Sequence, residues 1–379
     1  MNIAATSAAA NRLRQIERAR RAFMREGGPV PDVVVDGWRD KAWIARSWRR
    51  CLDNGHRPQD PVAFDLVGPH QRRHVEEANH ALVTAARPAL EQLGRAIAST
   101  RYFAILTNHA GVVVDAHGPI DRADRRALLI TRQGVDLSER SVGTTAISAA
   151  LAEGQPVWLH RGEHFFDATS CYSCAGAPLF GPDGACVGML DLTGVDAPER
   201  PELKHLVAQS ARSIENALTL ARPHQLVLRL NWPGRLRGDD DDGLLCLDGD
   251  GWVTGSNSAA RAMVAELAAS AGAPLHCSEL FAQPWEPLFD HARLGDAGAL
   301  ELALWSGLRL DVLPRVHGGN LAGAGAGTGG RKPLRDVEIA LIRSTVAQAR
   351  GNVMEAARLL GISRATIYRK LSHKGPKSS

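Results

Sequence analysis

Residues 351–371 read Gly351-Asn352-Val353-Met354-Glu355-Ala356-Ala357-Arg358-Leu359-Leu360-Gly361-Ile362-Ser363-Arg364-Ala365-Thr366-Ile367-Tyr368-Arg369-Lys370-Leu371. A short apolar helix, a glycine turn and a second, basic helix follow one another here. Asn352 can cap the helix Val353 to Leu360, and Ser363 the helix after it. The small pair Ala356-Ala357 lets helices cross closely, and Gly361 supplies the left-handed turn residue. Ile362, Ile367 and Leu371 hold the second helix to a core, which leaves Arg364, Thr366, Tyr368, Arg369 and Lys370 facing outward. Such a unit is a helix-turn-helix, whose second helix enters the major groove of double-stranded DNA. Asn352, Ser363, Arg364, Thr366, Tyr368, Arg369 and Lys370 are the candidate DNA-contacting residues. The helix N-terminus suits a phosphate, and arginine pairs bidentately with guanine. Leu334 to Ala349 supplies the helix before this pair, with Leu334, Ile339, Ile342 and Val346 near one face.

The charge distribution agrees. The 379-residue chain carries a net +4, but from Arg331 onward 11 Lys/Arg stand against three acids, a tail of +8, so the preceding 330 residues sum to −4. A basic module on a mildly acidic body is what a phosphate backbone attracts. Hydrophobic content of 44% with 23% charge fits a globular chain of several domains. No apolar run reaches about 18 residues, so no membrane-spanning helix is expected. Met1 to Met24 lacks the apolar centre of a secretory signal. Only Cys171 and Cys174 of the six cysteines lie close together. A reduced, cytoplasmic, nucleoid-associated setting follows as an expectation.

Outward from the C-terminal module, the pattern changes three times. Residues 317–333 are rich in Gly and Ala and read as a tether. Residues 1–80 read as helical, with helices over Arg12–Arg25 and Trp43–Leu52. A long helix over 70–100 should kink or split at Pro88. From Tyr102 the period switches to two. Strands are predicted over Tyr102–Leu106, Val112–Ala116, Pro156–Leu159, Cys174–Phe180 and Ala185–Leu192, with a helix over Ser141–Glu153 capped by Ser141 and another over Leu203–Leu220. This is a five- or six-stranded antiparallel sheet with flanking helices. A smaller unit follows: a hairpin over Gly243–Asn257, a helix over Ser258–Ala269, and strands over Leu300–Leu304 and Leu308–Leu313. The fold class is thus multidomain α+β with an all-α C-terminal module.

The C-terminal residues resemble the DNA-binding domain of Fis and of the bacterial enhancer-binding regulators. Gly351-Asn352, Ala356-Ala357, Leu360-Gly361-Ile362-Ser363 and Arg364-x-x-Ile367-Tyr368-Arg369-Lys370-Leu371 carry that resemblance, which implies a homodimer reading two half-sites about one helical turn apart. The body, from about residue 20 to 315, resembles the regulatory half of the acetoin-operon-regulator family. The motifs are Ser47-Trp48-Arg49-Arg50-Cys51, Ser141-Val142-Gly143-Thr144-Thr145-Ala146-Ile147, Glu163-His164-Phe165, Cys174-Ala175-Gly176-Ala177-Pro178-Leu179 and Gly188-Met189-Leu190-Asp191-Leu192-Thr193-Gly194. The resemblance implies a GAF sensor domain over 81–222 and a PAS-like domain over 223–316. They lie between the N-terminal helical region 1–80 and, beyond the linker 317–333, the Fis-type helix-turn-helix 334–379. It further implies a small-molecule effector, with Thr144, Thr145, Trp158, His164, Cys174 and Asp191 as candidate contacts. Thr145 stands where the family usually has Asn, and Ser148 where it usually has Gly. Enhancer-binding regulators carry an ATPase between sensor and helix-turn-helix. Here the Gly-rich tether occupies that place, and no G-x-x-x-x-G-K-[ST] loop is present, so no ATP hydrolysis and no remodelling of sigma-54 polymerase are expected.

The remaining constellations are weaker. His160, His164, Cys171 and Cys174 have a spacing open to zinc, to a thiol redox pair or to plain structural roles. No metal and no cofactor is assigned. Asp239–Asp242 reads as a solvated loop, and Asp248–Gly251 as a hairpin turn without the glutamate of a calcium loop. No nucleophile–base pair or cofactor loop stands out, so no enzymatic activity is expected. The predicted function is a sequence-specific DNA-binding transcriptional regulator that senses a small molecule, with RNA polymerase as a further candidate partner and no membrane. The alternative is a nucleoid-like DNA bender, or an anti-activator competing at enhancer sites.

Overall fold

A computed structural model describes residues 3–26, 42–235, 240–270, 272–294, 298–316 and Met354. The chain divides into two compact units, Met1–Leu321 and Ala322–Ser379. Every candidate DNA-contacting residue lies outside the described residues.

Helices α1 (Ile3–Glu26), α2 (Ala42–Asp53), α3 (Pro69–Ala78) and α4 (His80–Ala96) come first. The predicted break at Pro88 is not seen: Pro88 sits inside α4, and the chain divides at Asn79 instead. Asn79 leaves the helical region and turns its own side-chain amide back onto the Val75 carbonyl, which ends α3 from within.

A five-stranded antiparallel sheet follows, built from β1 (Tyr102–Asn108), β2 (Val113–His117), β3 (Val157–His160), β4 (Tyr172–Phe180) and β5 (Cys186–Val195) in the order β2-β1-β5-β4-β3. Because side chains alternate along a strand, each strand feeds two cores. Phe103, Ile105, Leu159, Cys174 and Met189 meet one core, with Phe23 of α1 and Trp48 of α2. Tyr102, Ala104, Trp158, Ala175 and Leu190 meet the other, with α4 and α8 (Leu203–Leu220). The N-terminal helices thus close one face of this sheet.

The predicted helix over Ser141–Glu153 is two pieces, α6 (Glu139–Val142) and α7 (Ala146–Glu153), after a short α5 (Arg125–Thr131). Gly143 breaks it, at φ 66° and ψ −154°, a conformation open to glycine. The cap of α7 is Thr145, not Ser141. Its hydroxyl accepts from the Ser148 amide at 3.2 Å, and the Ser148 hydroxyl accepts from the Thr145 amide at 3.0 Å. The departure at Ser148 is half of this capping box.

The smaller sheet-bearing unit, which lies within Met1–Leu321, also has five antiparallel strands, one more than predicted. These are β6 (Leu226–Asn231), β7 (Gly243–Leu247), β8 (Val253–Ser256), β9 (Leu300–Ala303) and β10 (Arg309–Val316), in the order β8-β7-β6-β10-β9. The unpredicted β6 is its central strand. The helix expected over Ser258–Ala269 is interrupted at Val264, giving α9 (Ser258–Met263) and α10 (Ala265–Ala269); α11 (Cys277–Leu280) and α12 (Glu286–Arg293) complete the unit. Among the described residues no helix is long and apolar enough to cross a membrane.

Candidate functional site

The first core of the larger sheet contains a cavity with about 30 Å³ of free volume. Its floor is β1, β4 and β5; its walls are the α6–α7 segment, the loop after β3, and Phe64, Ile130 of α5 and Leu137. Of the six expected ligand contacts, Thr145, His164, Cys174 and Asp191 line it. Register brings the strand residues together. Cys174 pairs with Thr193, and Asp191 lies between Gly176 of β4 and Ile105 of β1, all on one face. Gly176 is needed there, because a Cβ would stand 2.8 Å from the Ala146 carbonyl oxygen and 2.6 Å from the Met189 methyl.

Thr144 and Trp158 do not line the cavity. Gly143 turns the chain so that Thr144 faces α2, where its hydroxyl meets Ser47 Oγ at 2.7 Å and Cys51 Sγ at 3.7 Å. Trp158 alternates out of register with the cavity-lining Cys174, because it pairs with Ala175 and enters the opposite core.

The polar groups are connected. The Thr193 hydroxyl donates to Asp191 Oδ2. Its one proton being spent, it can only accept from the Cys174 thiol, 3.3 Å away. Burial pushes the Asp191 carboxyl up to about 7, against the pull of Thr193, and raises the Cys174 thiol well above its ordinary range. Burial also pushes His164 down to about 4, so its imidazole is neutral at pH 7. Its Nδ1 lies 2.9 Å from the Arg161 carbonyl, which only accepts, so Nδ1 carries the proton and Nε2 is a bare acceptor.

That Nε2 and Asp191 Oδ1 are fully buried and have no hydrogen-bond partner among the described residues. Each such atom costs about 1–3 kcal/mol in a folded interior. No Lys or Arg is among the described residues lining the cavity. The arrangement can therefore accept a hydrogen bond from an uncharged guest, but it offers no counter-charge to an anion.

Thr193, the link between Cys174 and Asp191, was not among the predicted contacts. The signal for it was present, since it has the parity of Asp191 two residues along one strand. Among the described residues no group of three or more His, Cys, Asp or Glu is placed to hold a metal. His160 Nδ1 is engaged by Ser173 Oγ at 2.8 Å. Cys171 lies away in its loop with its thiol pushed up by burial, unlike a reactive thiolate.

Comparison with known proteins bears on this region directly. The model for "MimR, N-terminal domain" matches residues 13–216, the N-terminal helices and the sheet that holds the cavity. The chain belongs to this MimR N-terminal-domain family. Residues 333–373 match "Bacterial regulatory protein, Fis family", which agrees with the helix-turn-helix read from the sequence. The acetoin catabolism regulatory protein of Cupriavidus necator is 35% identical over 301 residues, covering 76% of this chain and 43% of the relative. The propane 2-monooxygenase operon transcriptional activator MimR of Mycolicibacterium goodii is 28% identical over 205 residues, 53% of this chain and 33% of the relative. The chain thus spans less than half the length of these curated relatives. Among solved structures, the E. coli DhaR(N)–DhaL complex matches at a TM-score of 0.44 and 18% identity, over 72% of this chain and 98% of that one.

Proposed function

We propose that this chain is a sequence-specific DNA-binding transcriptional regulator. In this reading residues 81–222 are a GAF-type sensor, residues 223–316 a PAS-like domain, and residues 334–379 a Fis-type DNA reader beyond the linker 317–333. Asn352, Ser363, Arg364, Thr366, Tyr368, Arg369 and Lys370 contact DNA, and the reader acts as a homodimer on paired half-sites. The match at 333–373 and the +8 charge from Arg331 onward support this.

The observation that carries the sensing half is the small cavity whose lining residues His164 and Asp191 leave Nε2 and Oδ1 without partners among the described residues. The effector is a small uncharged molecule with a hydroxyl that donates to His164 Nε2. The name of one relative, the acetoin catabolism regulatory protein, is in keeping with an uncharged effector that carries a hydroxyl. Residues 317–333 stand where the enhancer-binding regulators have their ATPase, and the sequence contains no phosphate loop. Regulation therefore proceeds by occupancy and contact with RNA polymerase, without ATP-driven remodelling of sigma-54 polymerase.

Operator selection from random DNA followed by footprinting tests the first half. A short two-fold site supports it, and broad, sequence-independent protection contradicts it. A thermal-shift screen of small alcohols, ketones and organic acids tests the second. Stabilisation by uncharged compounds that is lost in His164→Phe is the expected result, and stabilisation by acids alone defeats it.

A further inference from the structure

About 30 Å³ holds little more than a water or two, so any larger guest requires a wall of the cavity to move. The floor is three strands registered against one another along their length. Two of the walls, the loop after β3 and the α6–α7 segment, are instead held from outside by the N-terminal helices.

The loop after β3 carries His164. Arg20 of α1 reaches across 144 residues of sequence to donate to the His164 carbonyl. It also donates to the Phe165 carbonyl at 2.6 Å and to Asp167 Oδ1 at 2.7 Å, and contacts the Gly162 carbonyl at 3.4 Å. Trp48 Nε1 donates to the Glu163 carbonyl at 3.0 Å. Arg12 pairs with Glu199 at 2.6 Å and with Glu163 at 3.4 Å. The other wall, α6–α7, is held by α2: Arg50 grips Glu139 through two bonds of 2.7 and 2.8 Å, and Ser47 holds Thr144.

We propose that α1 is a latch on this cavity, and that Arg20, a positioning residue, keeps the His164 wall shut. Ligand entry and latch release are then two views of one equilibrium. A molecule that fits only the opened cavity loosens α1, and a weakened latch opens the cavity without any ligand. The N-terminal helices thereby become the route by which an occupied cavity is reported to the rest of the chain. This inference rests on the reading of the cavity as the effector site, but its test uses neither effector nor DNA, so the two fail separately.

The full chain carries its own reporters. Cys174 lines the cavity and is almost fully buried, while Cys246 and Cys277 are fully buried in the smaller unit. Methylthiolation by methyl methanethiosulfonate, followed at each cysteine by mass spectrometry, reads local opening. Loss of the charged donors in Arg20→Ala is expected to raise the rate at Cys174 by about tenfold or more, with Cys246 and Cys277 unchanged. Trp48→Phe, which keeps the ring packed against Phe23 but loses the bond to the Glu163 carbonyl, is expected to act in the same direction. An unchanged rate at Cys174 in both variants overturns the latch. So does an equal rise at all three cysteines, which marks a general loss of stability.

Discussion

Asp191 and His164 face the same cavity with their acidities displaced in opposite directions, the carboxyl up to about 7 and the imidazole down to about 4. Both shifts have one cause, removal from water, which favours the neutral form of each group. At pH 7 the imidazole is therefore neutral and the carboxyl only about half ionised, and below that pH the site approaches zero charge although it is built from an acid and a base.

This has a measurable consequence for stability. A carboxyl raised in the folded state contributes stability that is complete below its unfolded pKa and is lost as pH rises towards about 7. Asp191→Asn removes that loss. Relative to the parent, the variant should gain stability steadily from pH 4 to pH 7 and level off above, by an amount of the order of a few kcal/mol. His164 works the other way, because its depressed pKa costs stability as pH falls from about 6.5 towards 4. Urea titrations across this range read both. A difference between Asp191→Asn and parent that is flat with pH rules out the buried, protonatable carboxyl.

Gly143 sits at φ 66°, and a Cβ there would stand 2.9 Å from Phe166 Cε2. Gly143→Ala adds an unfavourable backbone conformation to a clash with a buried ring. It should destabilise the fold by about 2 kcal/mol or more. Chemical denaturation with an unchanged midpoint would show that the segment relaxes around the methyl group.

Thr145→Ala deletes the cap that α7 receives from Thr145 and Ser148. The expected loss is about 1 kcal/mol, whereas Thr145→Asn, which restores a capping oxygen, should remain within a few tenths of the parent. Thermal melts compared side by side decide this. Equal losses in both variants would indicate that the hydroxyl matters to the cavity and not to the helix.

On the DNA side, Arg364→Ala should abolish sequence-specific binding, whereas Lys377→Ala should only lower affinity in a salt-dependent way. Binding to cognate and scrambled duplexes at two salt concentrations separates the outcomes. Equal, sequence-independent losses in the two variants would remove Arg364 from base readout.

Much of the larger sheet was legible because its strands alternate. The predicted strands over Tyr102–Leu106 and Ala185–Leu192 correspond to β1 and β5, and Leu203–Leu220 is α8 to the residue. The central β6 of the smaller unit was not legible. Leu226-Val-Leu-Arg-Leu-Asn231 is too short to distinguish from the end of the helix before it, and it becomes a strand by pairing with β7 and β10. The break at Asn79 instead of Pro88 was hidden for a related reason. A proline can be carried inside a helix when neighbouring packing holds it, whereas the bond from Asn79 to Val75 is a local competitor that composition does not reveal.

The amino-acid sequence alone determined the linear properties of this protein: the basic C-terminal stretch, the Gly- and Ala-rich run 317–333, and the alternation that marks β1 and β5 as strands and the period that marks α8 as a helix. These depend on neighbours a few residues apart, where period, caps and charge act. Tertiary structure decided what those residues meet. It turned Thr144 towards α2, sent Trp158 to the opposite core, left His164 Nε2 and Asp191 Oδ1 buried without partners, and brought Arg20 onto the carbonyls of a loop more than 140 positions away. Burial and long-range hydrogen bonds are properties of the packed chain, and with them come the displaced acidities and the cavity that His164 and Asp191 share.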